Sequence, residues 1–340
     1  MQRDSLAARL IAADRGSRRY RPQHPLPATG PATELDTALD GLRKVIDQVS
    51  GIILGKETQI RLTLACLLAR GHLLIEDLPG VGKTTLAHAL ANSLGLRFQR
   101  IQFTSDLLPA DIIGVSIFDR QAGSFKFHAG PIFASMILAD EVNRATPKAQ
   151  SALLEAMEEH QVTTEGETRE LPEPFFVIAT QNPSYQVGTF PLPESQLDRF
   201  LMRIRLGYPD NAAERALLKG GERRDMVSQL VPCMSTAELL EVQHKVRMVH
   251  ASDALMDYLQ ALIMRTRQSP HYVNGLSPRA GLALLHSARA WALMHGRNQV
   301  LPEDVQAILP SVVGHRLHPA GEQSHNKDLA ENLINQVAIP

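Results

Sequence analysis

Short apolar runs alternate with helix-like segments over the first two thirds of the chain. The runs at 73–76, 133–139 and 175–179 have the length of buried strands, and strands are also predicted at 98–103, where apolar and polar residues alternate, and at 201–206. Segments of helical periodicity lie between most of these strands. This order predicts an α/β domain whose strands point their carboxyl ends toward a ligand.

Two β-hairpins interrupt that order. Residues 115–118 and 124–128 alternate on either side of a turn-forming segment, and 161–164 and 168–171 do the same around Gly166. The first hairpin is therefore predicted as an insertion in the expected order of helices and strands.

Beyond residue 208 the pattern changes to helices only, after the boundary sequence Tyr208-Pro209-Asp210. Helices are predicted near 211–219, 236–249, 252–268, 278–295 and 302–316. The predicted organisation is an arm, an α/β core, a linker with the first helix, an all-helical domain and a tail, at residues 1–32, 33–208, 209–230, 231–318 and 319–340. The arm is rich in Arg, Pro and Gly, which favours disorder, so it is either a basic tether or a partner-docking segment.

Composition excludes several classes of protein. The chain has 340 residues, of which 44% are apolar and 21% charged, as in soluble globular proteins. Its net charge of −1 lacks the basic signature of a nucleic-acid binder, and Cys66 and Cys233 suggest neither a disulfide framework nor a metal cluster. With no long apolar run and no secretory signal pattern, a cytoplasmic protein without a membrane partner is expected.

A glycine-rich loop follows the first apolar run. Gly80 and Gly82 allow backbone amides to approach a polyphosphate, and the next helix presents its positive end to the same charge. Lys83 would contact the phosphates and the Thr84 hydroxyl would ligate Mg²⁺. The pattern departs from the usual phosphate loop at one position, where Asp77 replaces a glycine.

Polar side chains end two later strands. Asp140 and Glu141 follow one apolar run, and Gln181 and Asn182 follow another. Downstream of a phosphate loop, Asp140 is expected to hold the Mg²⁺ shell and Glu141 to activate the attacking water. Asn182 is expected to face the terminal phosphate.

Two arginines are candidates for contacts with phosphate. Arg199 could pair with Asp198 or reach the nucleotide of a neighbouring subunit. Arg279 follows Ser277 and Pro278, which are a good N-cap and first helical residue. Because a cation is disfavoured at this end of a helix, a nearby anion such as a nucleotide phosphate is expected. The alternative is that Arg279 is an ordinary exposed arginine at the start of a helix.

Together these segments resemble the MoxR family of AAA+ ATPases over about residues 35–317. The blocks that carry the resemblance are 76–84, 106–112, 130–134, 140–145, 179–183 and 277–280. The resemblance implies an AAA+ P-loop core with a parallel sheet and two hairpin inserts, a smaller helical lid, and assembly into a ring that is usually hexameric.

The resemblance also implies roles for individual residues. The nucleotide, ATP with Mg²⁺, would be held by Gly80, Val81, Gly82, Lys83, Thr84, Thr85 and Asp140, with Thr84 and Asp140 serving the metal. Glu141 would be the catalytic base, Asn182 sensor 1, Arg199 the arginine finger and Arg279 sensor 2, while Arg144 is a weaker candidate for a contact across subunits.

MoxR-like proteins are similar in role to chaperones, which implies a client complex, metal or cofactor insertion, and a partner with a von Willebrand factor A (VWA) domain. Three alternatives stay open. They are the ATPase subunit of a metal chelatase, a DNA-dependent motor, against which the near-neutral charge argues, and a nucleotide-gated scaffold, against which Glu141 and Arg199 argue.

Overall fold

A five-stranded parallel sheet lies at the centre of the protein, whose computed structural model describes residues 34–182, 189–220, 223–320 and 326–339. The strands of the molecule are β1 (Leu73–Glu76), β2 (Phe98–Gln102), β3 (Gly114–Asp119), β4 (Ser124–Ala129), β5 (Met136–Asp140), β6 (Gln161–Thr164), β7 (Glu167–Glu170), β8 (Phe176–Gln181) and β9 (Met202–Ile204). The central sheet has the order β2-β5-β8-β1-β9, which brings the carboxyl ends of β1, β5 and β8 side by side.

Helices cover the sheet, which explains why its inner strands are apolar on both faces. All five residues of β5 are buried. The core helices are α1 (Glu34–Ser50), α2 (Glu57–Leu68), α3 (Lys83–Ser93), α4 (Pro109–Ile113), α5 (Pro147–Glu159) and α6 (Glu194–Leu197). The predicted α/β class is confirmed, whereas the arm predicted over 1–32 lies outside the described residues.

Both predicted hairpins form outside the central sheet. Strands β3 and β4 pair as one antiparallel unit, and β6 and β7 pair as the other. The guanidinium of Arg169 on β7 lies 3.9 Å from the centre of the Phe127 ring on β4, so the two inserts contact each other. Phe118 and Phe125 form an exposed edge-to-face pair near the turn of the first hairpin.

The second domain is helical, as predicted, and contains more helices than the pattern indicated. Its helices are α7 (Asn211–Lys219), α8 (Arg223–Ser228), α9 (Thr236–Met248), α10 (Asp253–Gln268), α11 (Pro278–Met294), α12 (Pro302–Val313) and α13 (Asn326–Gln336). Where a tail was expected over 319–340, α13 packs on α10 and α12 and buries Leu329 and Leu333. The short helix α8 was not expected. It packs against α3 of the core, and the carbonyl of its Val227 accepts a hydrogen bond from the side chain of Asn92 on α3.

The helical domain is fixed to the core by a buried arginine. Arg316, which follows α12, donates to the Asp198 carboxylate at 2.6 Å and to the carbonyl of Phe200 at 2.7 Å. His315 bonds the same carbonyl at 2.9 Å. These contacts hold the stretch around Arg199 against the helical domain. Among the described residues, no helix combines the length and the apolar character that a bilayer crossing requires.

Candidate nucleotide site

The phosphate loop connects the end of β1 to the start of α3. Gly80 and Gly82 have φ angles of 84° and 95°, a left-handed conformation that residues with a Cβ rarely adopt. Gly82 immediately precedes the first turn of α3, whose backbone amides have no partner within the helix. The loop therefore has the backbone shape and the dipole that bind an anion.

Asp77 begins this loop in place of the usual glycine. Its backbone is not left-handed, so the position does not need glycine. The buried carboxylate accepts hydrogen bonds from the amide of Leu78 at 2.8 Å and from that of Gly207 at 2.6 Å. The departure noted in the sequence thus has a structural role that leaves the loop intact.

Lys83 points back across the loop. Its Nζ atom donates to the carbonyls of Asp77 at 2.6 Å and Leu78 at 3.1 Å, and lies 3.5 Å from Oδ1 of Asn182. Burial lowers the pKa of Lys83, while the charges of Asp77, Asp140 and Glu141 oppose that shift. An anion at this position would supply the acceptor that the ammonium now finds in the loop.

Asp140 ends β5 with both carboxylate oxygens engaged. Thr180, on the neighbouring strand β8, donates to Oδ1 at 2.5 Å. Arg100, on the other neighbouring strand β2, donates to Oδ2 at 2.6 Å. The Thr180 hydroxyl also accepts from the amide of Glu141 at 2.9 Å, so a single side chain positions both acids.

Glu141 is held in a left-handed conformation, with a φ angle of 58°. For a residue other than glycine this backbone is costly, and such strain concentrates at functional sites. Its carboxylate accepts from Asn182 at 2.9 Å and from Gln102 at 3.1 Å, and it forms an ion pair with Arg144 at 3.2 Å. Arg144 thus contacts the candidate base of its own chain.

One cavity of about 320 Å³ unites most of the predicted nucleotide ligands. It is lined by Pro79, Gly80, Gly82, Lys83, Thr84, Thr85, Asp140, Glu141 and Asn182. The hydroxyl of Thr84 and the carboxylate of Asp140 are hard oxygen donors of the kind Mg²⁺ prefers. The Val81 side chain instead packs against the hydrophobic core.

Arg199 and Arg279 lie elsewhere and share one partner, Glu158 at the end of α5. Arg199 is 3.0 Å from one carboxylate oxygen of Glu158, and Arg279 donates to the other. The anion beside the first turn of α11 is therefore Glu158, where a phosphate was expected. Asp198 does not form an ion pair with its neighbour Arg199, because it pairs with Arg316.

Arg199 borders a second cavity of about 450 Å³, together with Glu155, Glu158 and Glu159. The lining of this cavity shares no residue with that of the phosphate-loop cavity. In this conformation, then, Arg199 and Arg279 lie outside the phosphate-loop cavity of their own chain.

Sequence reasoning missed several residues that shape the site. Thr180 is a buried polar residue that lies between an apolar run and the polar pair Gln181 and Asn182. Its position could have indicated a role in the site. Arg100 and Gln102 alternate along β2, and Gln102 lies in register with Asp140. Glu158 gave no signal, because its partners are distant in the chain.

The parallel sheet with its helical lid and the cavity at the phosphate loop are those of an ATPase of the AAA type. Residues 72–202 match the ATPase family associated with various cellular activities (AAA), and residues 264–336 match the AAA lid domain. The crystal structure of a proposed ATPase from Cytophaga hutchinsonii superposes with a TM-score of 0.83 at 36% identity, covering 90% of this chain and 97% of that one.

Relatives narrow the family further. Chaperone MoxR1 of Mycobacterium tuberculosis is 39% identical over 95% of this chain and 87% of its own length. Protein MoxR of Paracoccus denitrificans is 32% identical, over 81% and 88%. An uncharacterized protein, YeaC of Bacillus subtilis, is 44% identical, over 88% and 95%. The chain belongs to the MoxR family of AAA+ ATPases.

Proposed function

We propose that this protein hydrolyses ATP with Mg²⁺ as a ring of subunits and uses the reaction to remodel a client complex. The observation that carries the proposal is the single cavity in which Lys83, Asp140, Glu141 and Asn182 converge. When bound between Thr84 and Asp140, Mg²⁺ would neutralise charge on the phosphates.

Within one subunit, the residues divide the work of phosphoryl transfer. Lys83 and the loop amides bind and orient the phosphates. Glu141 accepts a proton from the attacking water, and Asn182 holds its carboxylate in place from 2.9 Å away. Arg100 must yield or share its hold on Asp140 when the metal site fills, because a guanidinium and a cation compete for the same oxygen.

Arg199 and Arg279 complete the site of a neighbouring subunit. Their position on Glu158, outside the lining of their own phosphate-loop cavity, supports a role across the subunit interface. An arginine supplied by a neighbour stabilises the charge that develops in the transition state and makes hydrolysis depend on assembly.

The test is the ATPase rate per subunit against protein concentration, with the mass followed by light scattering with and without ATP. The rate should rise as ATP-dependent rings form. Arg199→Ala should bind ATP normally as an isolated subunit and lose this rise, while Arg43→Ala, an exposed arginine on α1 paired with Asp40, should behave as the wild type. A constant rate from a monomer would contradict the proposal.

We propose further that the ring is a hexamer with a chaperone-like role. It would act on a client complex together with a VWA-domain partner, and this action would include the insertion of a metal or cofactor. Support comes from the relative named Chaperone MoxR1 and from the exposed Phe118 and Phe125 on the first hairpin. If these rings hold a client, Phe125→Ser should weaken binding of a labelled unfolded polypeptide and leave ATP turnover unchanged. Equal binding by the variant would remove the hairpin from this role.

A further inference from the structure

A third cavity, of about 370 Å³, lies between the core and the lid, at the edge of the sheet opposite the phosphate loop. It borders the residues that precede β1 and β8, whereas the phosphate loop follows the carboxyl end of β1. Arg70 and His160 line it from the core, and Arg247 and His286 line it from α9 and α11 of the lid. We call it the seam pocket.

Two guanidinium groups line the seam pocket, and a third lies beside it. Arg70 and Arg247 line it directly, and an adjoining small cavity extends it to Arg289 on α11. The charges of Arg289 and Arg247 add to burial in lowering the pKa of His286, so both cations lie close to this ring. The pocket thus collects positive charge on a protein whose net charge is −1.

Among the residues that the structure describes, few acidic groups balance this charge. Glu173, also on the pocket, lies 3.3 Å from Arg70, but the pair is exposed and such pairs contribute little. In the part of the chain that the structure describes, no carboxylate lies within ion-pairing distance of Arg247 or Arg289. The Nε atom of Arg289 is buried and has no hydrogen-bond acceptor among the described residues.

Clustered like charges and a buried N–H without an acceptor both destabilise a fold. One anion in the pocket would correct both defects at once. Guanidinium groups bind phosphate oxygens through paired, charge-assisted hydrogen bonds, which makes several arginines around one pocket typical of phosphate recognition.

We propose that the seam pocket binds a small phosphate-bearing anion that links the lid to the core on the face away from the nucleotide. The phosphate group is the recognised chemistry, whether it comes as free inorganic phosphate or pyrophosphate or as part of a nucleotide. The anion would bind between Arg70 of the core and Arg247 and Arg289 of the lid. It would therefore limit the movement of the lid relative to the core, on the side away from the phosphate loop.

The test uses the full chain with Lys83→Ala, which removes the phosphate-loop site, so its outcome does not depend on ATP hydrolysis. Titration calorimetry with pyrophosphate should show binding. Adding Arg247→Gln and Arg289→Gln together should weaken it by at least about tenfold, the expected effect of losing one charge-assisted hydrogen bond or more. Arg215→Gln, an exposed arginine on α7, is the matched control and should not change the affinity.

Further arms identify the ligand and guard against misfolding. Inorganic phosphate, pyrophosphate and ADP are compared to locate the source of the phosphate, and citrate is the carboxylate competitor, expected to bind more weakly. Arg70→Gln, which leaves both lid arginines in place, should give a partial loss of affinity even if the double variant fails to fold. No binding to the Lys83→Ala chain, equal affinity in Arg70→Gln, or citrate binding as tight as pyrophosphate would each overturn the proposal.

Discussion

The carboxylate of Asp77 accepts a hydrogen bond from the backbone amide of Gly207 at 2.6 Å. Asp77 opens the phosphate loop, and Gly207 lies between β9 and the first helix of the lid, with a left-handed φ angle of 64°. Lys56 secures the same segment by donating to the carbonyl of Tyr208 at 2.7 Å. The nucleotide loop and the chain segment that leads to the lid are therefore directly connected.

Replacing Asp77 should weaken this connection. In Asp77→Ala the amides of Leu78 and Gly207 lose their acceptor, and we expect a loss of about 1–3 kcal/mol in the free energy of unfolding, the usual cost of a partly buried donor without a partner. Asp77→Asn keeps one acceptor oxygen and should lose less. Urea denaturation measures both variants, and an Asn variant no more stable than the Ala variant would contradict the assigned role.

The role of Glu141 as the catalytic base predicts a change in turnover when it is replaced. Glu141→Gln keeps one side-chain oxygen, enough to accept from Asn182, but removes the base, so kcat should fall by at least about 100-fold with ATP affinity retained. Glu165, on the second hairpin, is also left-handed, with a φ angle of 55°, and is exposed. Glu165→Gln is thus a matched control that should leave kcat unchanged. Normal turnover by Glu141→Gln would exclude Glu141 as the base.

The residues that line the phosphate-loop cavity could be brought together from the sequence because their signals are local. Lys83, Asp140 and Asn182 each follow an apolar strand, and a parallel sheet places all such strand ends on one edge. Local pattern could not find the partner of Arg279, because Glu158 lies 121 residues away on another helix. The same limit applies to α13, because its apolar face is buried only by contact with α10 and α12.

Glu158 holds two arginines that we assign to a neighbouring subunit's nucleotide, so it competes with that nucleotide. Glu158→Gln removes the competing charge, and we expect ATP-dependent assembly to begin at a lower protein concentration, measured by light scattering. Glu155 borders the same cavity, so Glu155→Gln is the control and should leave the assembly concentration unchanged. Assembly at a higher concentration would show instead that Glu158 positions the arginines for docking.

His72 is buried ahead of β1 and held as one neutral tautomer. Its Nε2–H donates to the carbonyl of Met157 at 3.0 Å, and its Nδ1 accepts from the amide of Val177 at 3.0 Å. A second proton would have to displace that amide. Burial, followed by the smaller effect of His160, lowers the pKa of His72 from 6.5 to about 4.

This shift predicts how stability depends on pH. Between pH 6.5 and 4, His72 binds a proton in the unfolded chain but stays neutral in the folded chain. The free energy of unfolding therefore falls as the pH falls, by up to about 3 kcal/mol in total. His315, whose pKa burial also lowers, acts in the same direction. His72→Gln should be less stable at pH 7 but should lose less stability on acidification to pH 5, as measured by urea denaturation at each pH. An unchanged pH dependence in the variant would show that His72 does not titrate on unfolding.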